Sequence, residues 1–89
     1  MLIAVTTRYL PEKNDARLAA RPAHRAWLAQ LKQDGLLVNA GPFADGDGAL
    51  LIFDVVDEGS LDQILPHDPY PAGSLKVVSK RPWNALFDF

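Results

Sequence analysis

Pro22 and Gly35 bracket one helix, and the rest of the chain has to be arranged around it. Proline suits the first helical position, where its missing N–H is an orphan in any case, and glycine suits the left-handed residue just past a helix end. The pair therefore predicts a main helix from about Pro22 to Asp34. Ahead of it, Leu2 to Arg8 read as a strand, Pro11 to Asp15 as turn and helix-start chemistry, and Ala16 to Ala20 as a short helical piece. Behind it, Leu36 to Ala40 and Ala49 to Val55 read as a hairpin. Its loop, Pro42-Phe43-Ala44-Asp45-Gly46-Asp47-Gly48, is rich in residues that tolerate positive φ. Asp57 or Ser60 can cap a second helix that ends at Leu65, with Leu61, Ile64 and Leu65 on one face and Pro66 as its terminator. Leu75 to Lys80 supply a last strand, and Arg81-Pro82-Trp83 to Phe89 a tail.

Strand-helix-strand followed by strand-helix-strand is the split βαβ order of a ferredoxin-like α+β fold, an antiparallel sheet with its helices on one face. An antiparallel sheet whose other face meets water alternates apolar with polar residues. Here both alternating sets are apolar: Leu50 and Ile52 against Leu51, Phe53 and Val55, and Ile3 and Val5 against Leu2 and Ala4. The expectation is a homodimer in which a second copy covers the open face.

With 89 residues, 48% of them hydrophobic, there is room for one core, so residues 1–89 are expected to form a single domain. Nine Lys+Arg against eleven Asp+Glu leave a net charge of -2, which argues against a nucleic-acid backbone or an anionic membrane surface as partner. Cysteine is absent, which excludes disulfides, thiolate catalysis and cysteine-ligated metal clusters. No basic segment precedes a long apolar stretch, and no apolar run approaches the roughly 20 residues that span a bilayer, so a cytoplasmic location is expected.

Two segments carry chemistry. In Arg21-Pro22-Ala23-His24, His24 shares a helical stripe with Trp27 or Leu28 and with Leu31, and so points toward the sheet. It lies in the first turn, where the helix's positive end disfavours an imidazolium that a nearby carboxylate would favour. In Asp68-Pro69-Tyr70, the proline pushes Asp68 toward an extended conformation. Asp68 can start a turn by bonding its own backbone, or it can orient His24 as an acid does in triad-like sites, and local sequence leaves both open. His24 itself can be a packed core histidine or a general acid–base group. His67 is a rival base in a loop beside Pro66. Arg8, Arg17 and Arg21 can edge a site for an anion or remain surface charges, and Tyr70 and Trp83 can wall a pocket or fill a core or interface.

Other chemistries lack their residues. Asp45-Gly46-Asp47-Gly48 has no bidentate glutamate to complete a calcium loop, and there is no Gly-rich phosphate motif, histidine pair at metal-ligand spacing or serine-nucleophile elbow. No metal and no cofactor are expected. An RNA-binding ferredoxin-like domain is disfavoured by the acidic charge and by the lack of paired aromatics on the central strands.

Arg21-Pro22-Ala23-His24, then Ala40-Gly41-Pro42, then Asp68-Pro69-Tyr70 with Ala72-Gly73 make the chain similar to the YciI-like (YCII-related) family over nearly its whole length. The chain departs from that pattern in carrying Pro66-His67 ahead of Asp68. The resemblance implies a dimeric α+β barrel, akin to muconolactone isomerase, with a His and Asp pair in a pocket between helix and sheet. Carried over, it makes His24 the general base or acid and Asp68 its partner, and places Arg21, Gly41, Pro42 and Tyr70 near the pocket. One group related to that family is a dehydrochlorinase acting on a chlorinated hydroxyquinol. The expectation is a cofactorless lyase- or isomerase-type enzyme in which His24 moves a proton on a small molecule. Backbone N–H groups around Gly41 or an arginine would then steady the developing negative charge. The alternative is a non-catalytic sensor or accessory module that holds a metabolite in the same pocket.

Overall fold

A computed structural model of the protein describes residues 1–88, so the last residue of the expected tail, Phe89, lies outside the described residues. The chain runs β1 (Leu2–Tyr9), a 3-10 turn (Pro11–Lys13), α1 (Asn14–Ala19), α2 (Arg21–Gln33), β2 (Leu37–Pro42) and β3 (Gly48–Asp54). It continues through α3 (Glu58–Ile64), a second 3-10 turn (Leu65–His67) and β4 (Leu75–Pro82). The four strands lie in the order β2-β3-β1-β4 and every neighbouring pair is antiparallel, the α+β arrangement read from the sequence.

Alternation along the two central strands sets the faces of the sheet. Ile3 pairs with Phe53 and Val5 with Leu51, and all four are buried together with Leu31 of α2, Leu37, Val55 and Leu61 of α3. Phe53 and Val5 are 0% exposed, so each contributes about 1.5–3 kcal/mol of apolar transfer. The intervening pairs, Ala4 with Ile52 and Thr6 with Leu50, face away from the helices. On that open face the Thr6 and Ser79 hydroxyls lie 2.6 Å apart.

The helix ends follow local chemistry. After α2, Gly35 takes φ 78°, the Gly35 N–H donates to the Lys32 carbonyl at 3.1 Å, and the Leu36 N–H reaches back to the Leu31 carbonyl at 2.9 Å. This is a Schellman ending, with Leu36 packed against the core. Asp57 caps α3, its Oδ1 accepting from the Ser60 N–H at 2.8 Å and the Ser60 hydroxyl at 2.9 Å. At the start of β3, Gly48 sits so close to β1 that a Cβ there would overlap the Thr7 carbonyl.

Several boundaries differ from expectation by one or two residues. Pro42, assigned to the loop, ends β2, and Pro82, assigned to the tail, ends β4. β2 and β4 are the two edges of the sheet, where a residue without an N–H can close a strand with its donor side unpaired. Trp83 also continues the tail past β4, its N–H donating to the Leu2 carbonyl at 2.9 Å. The first strand extends to Tyr9, one residue past Arg8, because Tyr9 pairs with Leu75. Among the described residues no helix is long and apolar enough to cross a membrane.

Candidate active site

His24 enters the space between α2 and the sheet from the first helical turn, its backbone N–H bonded to the Ala20 carbonyl at 2.9 Å. Trp27 and Leu28, one turn on, pack against the core and hold the same face of α2 inward. Asp68 comes from the segment between α3 and β4. The second 3-10 turn ends with the Asp68 N–H donating to the Leu65 carbonyl at 3.2 Å, and Asp68 then adopts φ -56°, ψ 125°, the extended geometry that Pro69 favours.

One carboxylate oxygen of Asp68 makes both a local turn contact and a contact with His24. Its Oδ1 accepts the Tyr70 N–H at 2.9 Å, which closes a local aspartate turn, and lies 2.7 Å from His24 Nδ1. The two side chains are 12% and 19% exposed, enough shielding to strengthen the contact while leaving the site open. A carboxylate only accepts, so in this contact Nδ1 carries the donated proton, and Nε2 has no hydrogen-bond partner among the described residues.

Aromatic rings fix the orientation of that imidazole. The Tyr70 ring stacks on it at 3.8 Å with 10° between planes, and Trp27 lies tilted at 5.9 Å. Tyr9 meets Tyr70 edge-on at 6.4 Å, and the Arg17 guanidinium covers Tyr9 at 3.7 Å. Burial raises the ionisation range of the Tyr9 hydroxyl above that of free tyrosine, and a charge on Tyr70 would add to this, while Arg17 and Arg21 pull the other way.

Two adjoining cavities share Tyr9, His24, Ala49, Leu51 and Tyr70 as walls. The first, about 430 Å³, is bounded mainly by apolar side chains such as Val5, Trp27, Leu65, Leu75 and Val77, with Asp68 at its edge. The second, about 510 Å³, is lined by Arg17, Arg21, Arg25, Gly41, Pro42 and Phe43. Arg21, Gly41, Pro42 and Tyr70 thus border the same hollow as His24.

Other expected participants lie elsewhere. Arg8 is exposed on β1 and lines neither cavity, because alternation turns it away from Thr7 and Tyr9. His67 is exposed at the end of its 3-10 turn and also lines neither. Trp83 borders a separate hollow with Met1, Leu2 and the C-terminal segment. The sequence reading missed Tyr9 and Arg25. Tyr9 continues the Ile3, Val5, Thr7 alternation, and Arg25 stands one helical turn past Arg21, so periodicity carried a signal for both.

The comparisons with known proteins agree with this architecture. No curated protein sequence matches the chain. Among solved structures, the 5-chloro-2-hydroxyhydroquinone dehydrochlorinase from Burkholderia phenoliruptrix, in complex with 2,5-dihydroxybenzoquinone, is similar, with a TM-score of 0.73 and 22% identity over 94% of each chain. At that identity the likeness is one of fold. A family model, the YCII-related domain, matches residues 1–84. By that match the chain belongs to the YCII-related domain family.

Proposed function

We propose that this protein is an acid–base enzyme of the lyase or isomerase type, with His24 as the proton-transfer group and Asp68 as the residue that orients it. The observation that carries the reading is the 2.7 Å contact between His24 Nδ1 and Asp68 Oδ1 at the border of the two cavities. Nε2 takes a proton from an acidic O–H or C–H of a small cyclic substrate, and the electron pair left behind forms a new C=O or C=C bond. In a lyase the leaving group departs with its own pair from the adjacent carbon, and in an isomerase the proton returns at another carbon. Asp68 steadies the imidazolium in between, and the arginines steady the anionic substrate oxygen. The dehydrochlorinase of similar fold supports a small oxygenated ring as substrate class.

The same reading includes a homodimer. Leu2, Ala4, Leu50 and Ile52 form an apolar band on the sheet face that no helix among the described residues covers, and a second copy of that band is its self-complementary partner. Sedimentation equilibrium at micromolar concentration is expected to give twice the chain mass, and Ile52→Asp to return it to one.

The chemistry is tested with 2,5-dihydroxybenzoquinone in D2O, following ring C–H exchange by proton NMR, and separately with 5-chloro-2-hydroxyhydroquinone, following chloride release. The parent protein is expected to accelerate at least one process, and His24→Ala to slow it by about 10²–10⁴-fold. An equal rate in His24→Ala sinks the mechanism. Binding of either compound with no acceleration identifies the protein as the sensor or accessory module instead.

A further inference from the structure

Arg17 is only 5% exposed, yet among the described residues no carboxylate pairs with it. Its Nη2 donates to the Asn14 side-chain oxygen at 2.8 Å, and its Nε is sealed from solvent with no hydrogen-bond partner. The face of Tyr9 offsets part of the cost of burying this cation, but a ring supplies no acceptor for the remaining N–H groups. Arg21 and Arg25 likewise form no ion pair among the described residues, and all three line the larger cavity, whose wall contains no aspartate or glutamate. Such a site is built for a counter-charge that arrives from outside.

We propose that the arginine-walled lobe is a subsite for a carboxylate carried by the substrate, so that the protein acts on a small cyclic carboxylic acid. The ring occupies the apolar lobe, the carboxylate lies against Arg17, Arg21 and Arg25, and the shared wall of His24 and Tyr70 stands between the two. The assignment of the bound acid as substrate rests on the acid–base role of His24; the carboxylate preference itself does not. Arginine suits the task because its planar fork matches a carboxylate and stays charged at every physiological pH.

Calorimetric titration with benzoate and with benzamide, equal in shape and differing in charge, tests the subsite on the full chain. Benzoate is expected to bind more tightly by about tenfold or more. The preference is expected to vanish in the doubly substituted Arg21→Gln, Arg25→Gln protein, to shrink in Arg17→Gln, and to persist in His24→Asn. Arg21 is only partly buried and Arg25 exposed, so the double variant decides the matter if Arg17→Gln does not fold. Equal affinity, absence of benzoate binding, or a preference that survives in the double variant overturns the proposal. Loss of the preference in His24→Asn also overturns it, because the imidazolium would then be the cation read. A benzoate preference without His24-dependent turnover keeps the subsite and removes the enzyme; the reverse pair of results keeps the enzyme and removes the subsite.

Discussion

The rings of His24 and Tyr70 lie nearly parallel, 3.8 Å apart, although the two residues come from a helix and a loop far apart along the chain. The same tripeptide that brings the Tyr70 ring also brings the Asp68 carboxylate to Nδ1, so one short segment sets both the tilt of the imidazole and its tautomer.

Asp68→Asn keeps an oxygen for the Tyr70 N–H but replaces a charge-assisted partner of His24 with a neutral amide. Its destabilisation is expected to stay within about 1–3 kcal/mol in urea denaturation, while His24-dependent exchange falls by about 10²–10⁴-fold. A variant that exchanges at the parent rate would remove Asp68 from the mechanism.

Tyr70→Phe retains the stacked ring and the backbone donor to Asp68, so stability and the upfield ring-current shift of the His24 protons are expected to survive. Tyr70→Ala retains only the donor. It is expected to lose about 0.5–1.5 kcal/mol beyond the loss of buried area and to abolish the shift in proton NMR. Parent-like His24 resonances in Tyr70→Ala would show that the stacking does not persist in solution.

Tyr9 gives the protein a pH dependence on the alkaline side. Burial raises its ionisation above the ordinary value of 10.0, so the folded state holds its proton after the unfolded chain has released it. The contribution is fully present below about pH 10 and is lost as pH climbs through the raised folded value. Chemical denaturation at successive pH values is expected to show stability falling above pH 10 in the parent and falling less in Tyr9→Phe. Identical slopes would refute the assignment.

Gly48→Ala places a methyl group against the Thr7 carbonyl, where backbone has to move, whereas Gly41 has open space on its Cβ side. The first change is expected to cost more than about 1 kcal/mol and the second to remain within about 0.5 kcal/mol. Thermal melts of the two variants check the contrast, and equal melting temperatures would contradict the close approach of β1 and β3.

How much of this was legible in the residues depends on the range of the interaction concerned. Pro22 and Gly35 act within a single turn of backbone, and the helix they bracket is Arg21–Gln33. Ile3, Val5, Leu51 and Phe53 advertise their face through alternation, because a strand turns each side chain opposite its neighbour. Asp57 and Ser60, offered as alternative caps, turn out to bond each other. The edge prolines misled the strand ends because a sequence does not say which strand lies at the edge.

The chain by itself determined its elements, its apolar faces and a short roll of candidate residues, since propensity, capping and periodicity are properties of neighbours along the backbone. Tertiary structure decided which of those residues meet. It placed Asp68 on His24 across 44 positions, admitted Tyr9 and Arg25 to the hollow, and turned Arg8, His67 and Trp83 away from it. Strand order and the side from which a loop returns are settled by packing the whole sheet against its helices, and no local stretch of residues encodes that choice.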